Sequence, residues 1–175
     1  MISTLLHSPL VWILSLVAAQ RLVELLLAAA NTRRLLACGG REVGRAHYPL
    51  FVLLHGSWLV AIAVTTPIDR QPYWPLIGVF IVLQLLRIWV VATLGPYWTT
   101  RIITLDEAPI VRRGPFRFVR HPNYCVVVAE IAVLPMAFGD WWVALIWTLL
   151  NALLLRHRIR IEMGALADRE AQAST

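Results

Sequence analysis

The sequence predicts an all-α protein: a polytopic membrane helix bundle of five transmembrane helices, the fourth and fifth as a tight hairpin, plus a cytoplasmic C-terminal helix. Three observations predict it. Of the 175 residues, 59% are hydrophobic and only 15% charged, against about 45–50% and about 25% in a soluble domain. Long apolar runs match the ~20 residues needed to cross a hydrocarbon core of ~30 Å. The basic residues, all 16 of them Arg, sit mostly in short clusters between those runs.

The runs 9–30, 48–66 and 74–95 each qualify as spans. Runs 124–138 and 141–155 follow, separated only by Gly139-Asp140. At ~1.5 Å per residue each reaches about 22 Å, so they read as a hairpin that borrows flanking residues to cross. Arg counts then orient the chain. None precedes the first run, loop 31–47 has four, loop 67–73 has one, segment 96–123 has five, the Gly139-Asp140 turn has none and the tail has four. By the positive-inside rule the N-terminus is outside and the C-terminus cytoplasmic. That requires an odd number of spans, and the expected location is a bacterial inner membrane. The first run lacks a basic leader segment and is too long for a cleavable signal.

A net charge of +6 alone would admit a nucleic-acid partner, but its distribution is that of a membrane protein, and no nucleic acid is expected. Cys38 and Cys125 form neither a metal motif nor a disulfide framework, so no metal is expected. The whole chain, 1–175, reads as one domain. Segment 96–123 is its longest connection and carries Tyr97, Trp98, Phe116 and Phe118, which suit an ordered stretch at the membrane interface.

Polar residues interrupt the spans at one depth. Gln20, Glu24 and Asn31 share a helix face with Arg21 beside them; Gln84 and Arg87 lie on the third helix, His55 on the second and Glu130 on the fourth. Counting from the cytoplasmic helix ends at ~1.5 Å per residue, Glu24 and Glu130 lie about 9 Å deep, His55 and Arg87 about 11–12 Å and Arg21 about 14 Å. Such residues bundle helices or mark a site. Shared depth favours a buried cavity open to the cytoplasm.

The stretch Gly114-Pro115-Phe116-Arg117-Phe118-Val119-Arg120-His121-Pro122-Asn123-Tyr124 reads as a Gly-Pro turn followed by a helix that begins at a proline. Arginine, histidine and free backbone amides would converge there as an anion site. Glu162, in Arg158-Ile159-Arg160-Ile161-Glu162, would return to the same mouth from the tail. Membrane-surface anchoring by Arg is the competing reading.

At these residues the chain resembles the isoprenylcysteine carboxyl methyltransferase family over about 95–170. Upstream, Arg21-x-x-Glu24, Asn31, His47-Tyr48 and His55 are similar to a bacterial branch, some of whose members methylate alkylpyrones made by type III polyketide synthases. The resemblance implies S-adenosylmethionine (SAM) as cofactor and 96–175 as the cofactor-binding half, with Arg120, His121, Pro122, Tyr124 and Glu162 as its residues. It also implies a lipophilic or prenylated acceptor drawn from membrane lipid. Arg21, Arg87 and Arg117 would orient an anionic acceptor, and Glu130 would accept a proton or position a donor. Two positions depart from the family pattern: Val126 stands where Gly is common, and Met163 where a second Glu is common. Two other readings are an NADPH-dependent membrane reductase, since sterol reductases carry a similar Arg-x-x-His-Pro-x-Tyr element, and a small transporter or accessory subunit.

Overall fold

The computed structural model describes residues 7–45, 48–105 and 111–173, with side chains through 164; His47 lies outside them. Five α-helices dominate the described residues: α1 (Pro9–Ala37), α2 (Tyr48–Thr65), α3 (Trp74–Leu94), α4 (Pro122–Ala137) and α5 (Trp141–Ala173). Their starts have local causes. Ser8 Oγ accepts from Val11 N–H at 3.4 Å at the head of α1, where Pro9 loses nothing by lacking an N–H. Pro75 and Pro122 occupy the first turns of α3 and α4. Asp140 Oδ1 accepts from Val143 N–H at 3.3 Å at the head of α5.

Helices α1, α2 and α3 are long and apolar enough to cross a membrane, yet only 11%, 17% and 22% of their apolar windows are buried in protein. Leu16, Leu53, Val64 and Leu85 point outward and are largely exposed. An apolar exterior of this extent needs lipid as its solvent. Helix α4 is apolar and shorter; its 16 residues reach about 24 Å. It packs on α3 and on α5, to which three residues join it.

The core lies between α2, α3, α4 and α5 with the first half of α1, around Trp58, Ile62, Phe80, Ile131 and Leu134. Because lipid is as apolar as this core, its stability comes from close packing and interhelical hydrogen bonds. Trp58 Nε1 donates to the Ile131 carbonyl at 3.2 Å, and Trp147 Nε1 to Ser57 Oγ at 3.1 Å. At the end of the bundle near Asp140, Ser8 Oγ donates to Ile68 O at 2.5 Å, Tyr73 N–H to Ala137 O at 2.7 Å, and Thr65 to Asp140.

Three features differ from the sequence expectation. Helix α1 continues to Ala37, past the apolar run, because nothing in 31–37 stops a helix before Gly39 and Gly40. The span 141–155 and the C-terminal helix are one helix of 33 residues, since no Gly or Pro falls between 155 and 163. The chain is also not purely helical. Strand β1 (Arg41–Val43) pairs antiparallel with β2 (Ile102–Thr104), Glu42 opposite Ile103. This ribbon ties the α1–α2 connection to the α3–α4 segment at the arginine-rich end. Arg101 reinforces it, donating to both Glu42 carboxylate oxygens at 3.1 Å with its guanidinium 4.7 Å from the Tyr48 ring centroid.

Candidate active site

Two polar assemblies occupy the arginine-rich half of the bundle. The inner one is the layer the helix rise predicted. Arg87 grips Glu24 side-on, Nε and Nη2 each 2.6 Å from a carboxylate oxygen. Its Nη1 reaches Glu130 Oε2 at 3.2 Å. Arg21 donates to Glu24 at 3.0 Å and to Glu130 at 2.6 Å. Gln20 donates to Glu24 Oε1 at 3.1 Å, the oxygen that also accepts from Arg87 Nε, and Gln84 donates to Glu130 Oε1, the oxygen the arginines leave, at 2.8 Å. Two cations and two anions from α1, α3 and α4 thus neutralise one another, with Glu130 at 0% exposure. Bidentate, charge-assisted geometry of this kind is what a buried pair needs to offset its desolvation. His55, on α2, does not join the ion pairs; its Nδ1 lies 2.8 Å from its own helix's Phe51 carbonyl.

The outer assembly is a cavity of about 1110 Å³ at the arginine-rich end. One wall is the segment from Leu94 to Thr104, the second the run from Phe116 to Tyr124, and the third Glu162 and Met163 on α5. The second wall is shaped by the Gly-Pro turn. Gly114 has φ +58°, and a Cβ there would lie 2.6 Å from Thr93 Oγ1, so only glycine fits. The short 3₁₀ turn Gly114–Arg117 then presents Arg117, Phe118, Val119 and Arg120, all exposed. On the far side of this run α4 starts. The rings of His121 and Tyr124 stack nearly parallel, 5.2 Å between centroids. Tyr124 Oη donates to Glu162 Oε2 at 2.6 Å.

All the residues expected to hold a cofactor therefore line one cavity: Arg120, His121, Pro122, Tyr124 and Glu162. Of those expected to act on an acceptor, Arg117 lines it too. Arg21, Arg87 and Glu130 do not; they make up the ion-pair layer with Glu24. Val126 is buried in α4, outside the lining, whereas Met163 stands in the wall where a second acid is common in the family. Asn31 lines neither assembly, but its amide donates to the Gly95 and Trp98 carbonyls at 3.1 and 2.8 Å and pins the first wall of the cavity to α1. Sequence reasoning missed Arg101 as part of the site, and it marked Arg158, four residues before Glu162 in the tail motif, without giving it a role. The dense basic character of the tail was visible, but not which arginine turns inward.

A sequence profile of the isoprenylcysteine carboxyl methyltransferase (ICMT) family matches residues 76–168. That stretch takes in α3 from Leu76, the cavity walls from Leu94 onward, α4, and α5 past Glu162 to residue 168. The uncharacterized protein YpbQ of Bacillus subtilis (strain 168) is 32% identical over 162 residues, which cover 90% of this chain and 96% of YpbQ. An uncharacterized protein of Haemophilus influenzae is 25% identical over 156 residues, 86% of this chain and 91% of that protein. No solved structure matches the chain significantly. With the profile covering more than half of the chain, and on the very residues that enclose the cavity, the chain belongs to the ICMT family of methyltransferases.

Proposed function

We propose that the protein is a membrane-embedded, SAM-dependent O-methyltransferase acting on a lipophilic acceptor, an isoprenylcysteine-type carboxylate or an alkylpyrone-type hydroxyl. The observation that carries the proposal is the convergence of Arg120, His121, Tyr124 and Glu162 from opposite ends of the α4–α5 pair on one cavity. The cavity fits the cofactor. Its volume exceeds the ~300–1,000 Å³ of an ordinary small-ligand pocket, leaving space for an acceptor beside it. Arg120 would hold the carboxylate of SAM, Glu162 would accept from the ribose diol or the ammonium, and the stacked His121 and Tyr124 rings would offer an aromatic face. When bound, SAM supplies an electrophilic methyl group.

The chain's own task is then alignment. Transfer of a methyl group to oxygen needs the nucleophile and the carbon in line at near-attack distance, which positioning alone can accelerate greatly. A carboxylate or acidic enol is largely anionic near neutral pH and needs no strong base. Arg117, exposed at the rim beside Phe118, would orient such an anion, while Phe118 and Val119 would meet its apolar part. Arg21, Arg87 and Glu130 serve the framework in this reading, holding α1, α3 and α4 in the arrangement that shapes the inner end of the site. The arginine-rich end faces the cytoplasm, where SAM is made available.

Purified protein in detergent, given radiolabelled SAM and a lipophilic acid or a hydroxypyrone, should transfer label to the acceptor. Binding of SAM but not of NADPH by calorimetry should accompany it. NADPH binding without SAM binding would replace the proposal with the reductase reading.

A further inference from the structure

Arg158 stands behind the cavity wall and touches the parts that make it. Its Nε donates to Tyr124 Oη at 2.9 Å, and its Nη1 donates to the Thr100 carbonyl at 2.7 Å. The guanidinium carbon lies 5.4 Å from the Phe51 ring centroid and 5.8 Å from that of Tyr124. One side chain of α5 therefore joins the start of α4, the 98–104 segment and α2.

The hydrogen bonds at Tyr124 also have a fixed direction. A guanidinium has donors and no acceptor, and a phenol has a single proton. With Arg158 filling the acceptor side of Oη, the Tyr124 proton points to Glu162, 2.6 Å away. Arg158 and Glu162 are four residues apart on one helix and would ordinarily meet directly. Here Tyr124 is inserted between them. Glu162 Oε2 is occupied by the phenol, and among the described residues none donates to Oε1, on a side chain that lines the cavity.

We infer that Arg158 is a positioning residue: it sets the direction of the Tyr124 proton and thereby aims the Glu162 carboxylate at a donor-bearing ligand, a diol or an ammonium. The inference rests on the cofactor reading above. It separates Arg158 from Arg156 and Arg160 on the same helix, which make no such contact among the described residues.

The test is a double-mutant cycle read by calorimetric binding of S-adenosylhomocysteine, the demethylated cofactor, with thermal melting to confirm that each variant is folded. Arg158→Ala and Tyr124→Phe should each weaken binding about tenfold, the worth of one hydrogen bond to a charged group. The double variant should lose about tenfold, not about a hundredfold, because both changes break one relay. If Arg158→Ala does not fold, Arg158→Lys takes its place, keeping the charge without the fork; it should weaken binding about threefold alone and not at all on top of Tyr124→Phe. Unchanged affinity in the Arg158 variant, or losses that multiply in the double variant, would overturn the inference while leaving the cofactor reading intact. A wild-type protein that binds no S-adenosylhomocysteine would overturn both.

Discussion

Replacing Glu130 by glutamine should cost stability and leave cofactor affinity alone. Glu130 is fully buried, and its carboxylate accepts from Arg21 at 2.6 Å, Arg87 at 3.2 Å and Gln84 at 2.8 Å. Glutamine keeps the shape and one carbonyl acceptor. It removes the charge, so a layer of two arginines and two glutamates becomes net positive among three helices. Breaking a buried ion pair from one side costs about 3–5 kcal/mol. At about 2–4 °C per kcal/mol for a chain near this size, the melting temperature should fall by about 6–20 °C. Removing Arg21 as well restores neutrality, so Arg21→Gln combined with Glu130→Gln should be more stable than the two single losses summed, with a coupling of about 1–3 kcal/mol. Fluorescence-monitored thermal unfolding in detergent reads the stability, and calorimetry with SAM reads the cofactor site. A Glu130→Gln variant that melts with the wild type while losing methyl transfer would refute the framework reading and return the layer to the acceptor.

His121→Ala and Glu162→Ala should each weaken SAM binding about tenfold or more in protein that still inserts and folds, since each removes a side chain from the cavity wall; unchanged affinity in both would remove the support for the site. The topology should place the tail after Leu155 in the cytoplasm and the Gly139-Asp140 turn outside, read by labelling single cysteines at either place after Cys38 and Cys125, both exposed, are replaced by serine. Gly114→Ala should destabilise the cavity wall by about 1–3 kcal/mol, combining a left-handed backbone with a Cβ against Thr93. Adding Thr93→Ala should recover the steric share of that loss and none of the backbone share, as measured by melting of the three variants.

The features that depend on period and length were legible in the sequence. Three apolar runs became three membrane-length helices, and helix rise alone put Glu24 and Glu130 level with each other; they share both arginines. The return of Glu162 to the end of the bundle where α4 starts was expected from the α4–α5 hairpin, but its contact with Tyr124 was not: by rise alone Glu162 lies about 12 Å farther from the turn than Tyr124 does. What the sequence did not show depends on pairing across the fold. Strands of three residues have no periodicity to detect, and Arg41–Val43 has its partner about 60 residues away in the chain. Arg158 looks like its neighbours Arg156 and Arg160 in the sequence; what distinguishes it is a phenol on another helix and a carbonyl in a connection. The persistence of α1 through Asn31, Thr32, Arg33 and Arg34 was hidden because hydrophobic pattern marks where a helix leaves lipid, while backbone hydrogen bonding marks where it ends.

The unbroken run of α5 makes it a mechanical lever. From Trp141, at the end of the bundle opposite the cavity, to Glu162 is about 31 Å of rigid rod at ~1.5 Å per residue, with no glycine or proline to act as a hinge. Helices respond to a bilayer thinner or thicker than their apolar length by tilting. A tilt of about 5° pivoting at Trp141 would carry Glu162 sideways by about 3 Å by this rise, comparable to the whole length of its hydrogen bond to Tyr124. The clasp that Arg158 makes on Tyr124 and Thr100 is what opposes that swing. A tilt imposed on α5 at its start would thereby be felt as a load on the cavity wall at its far end.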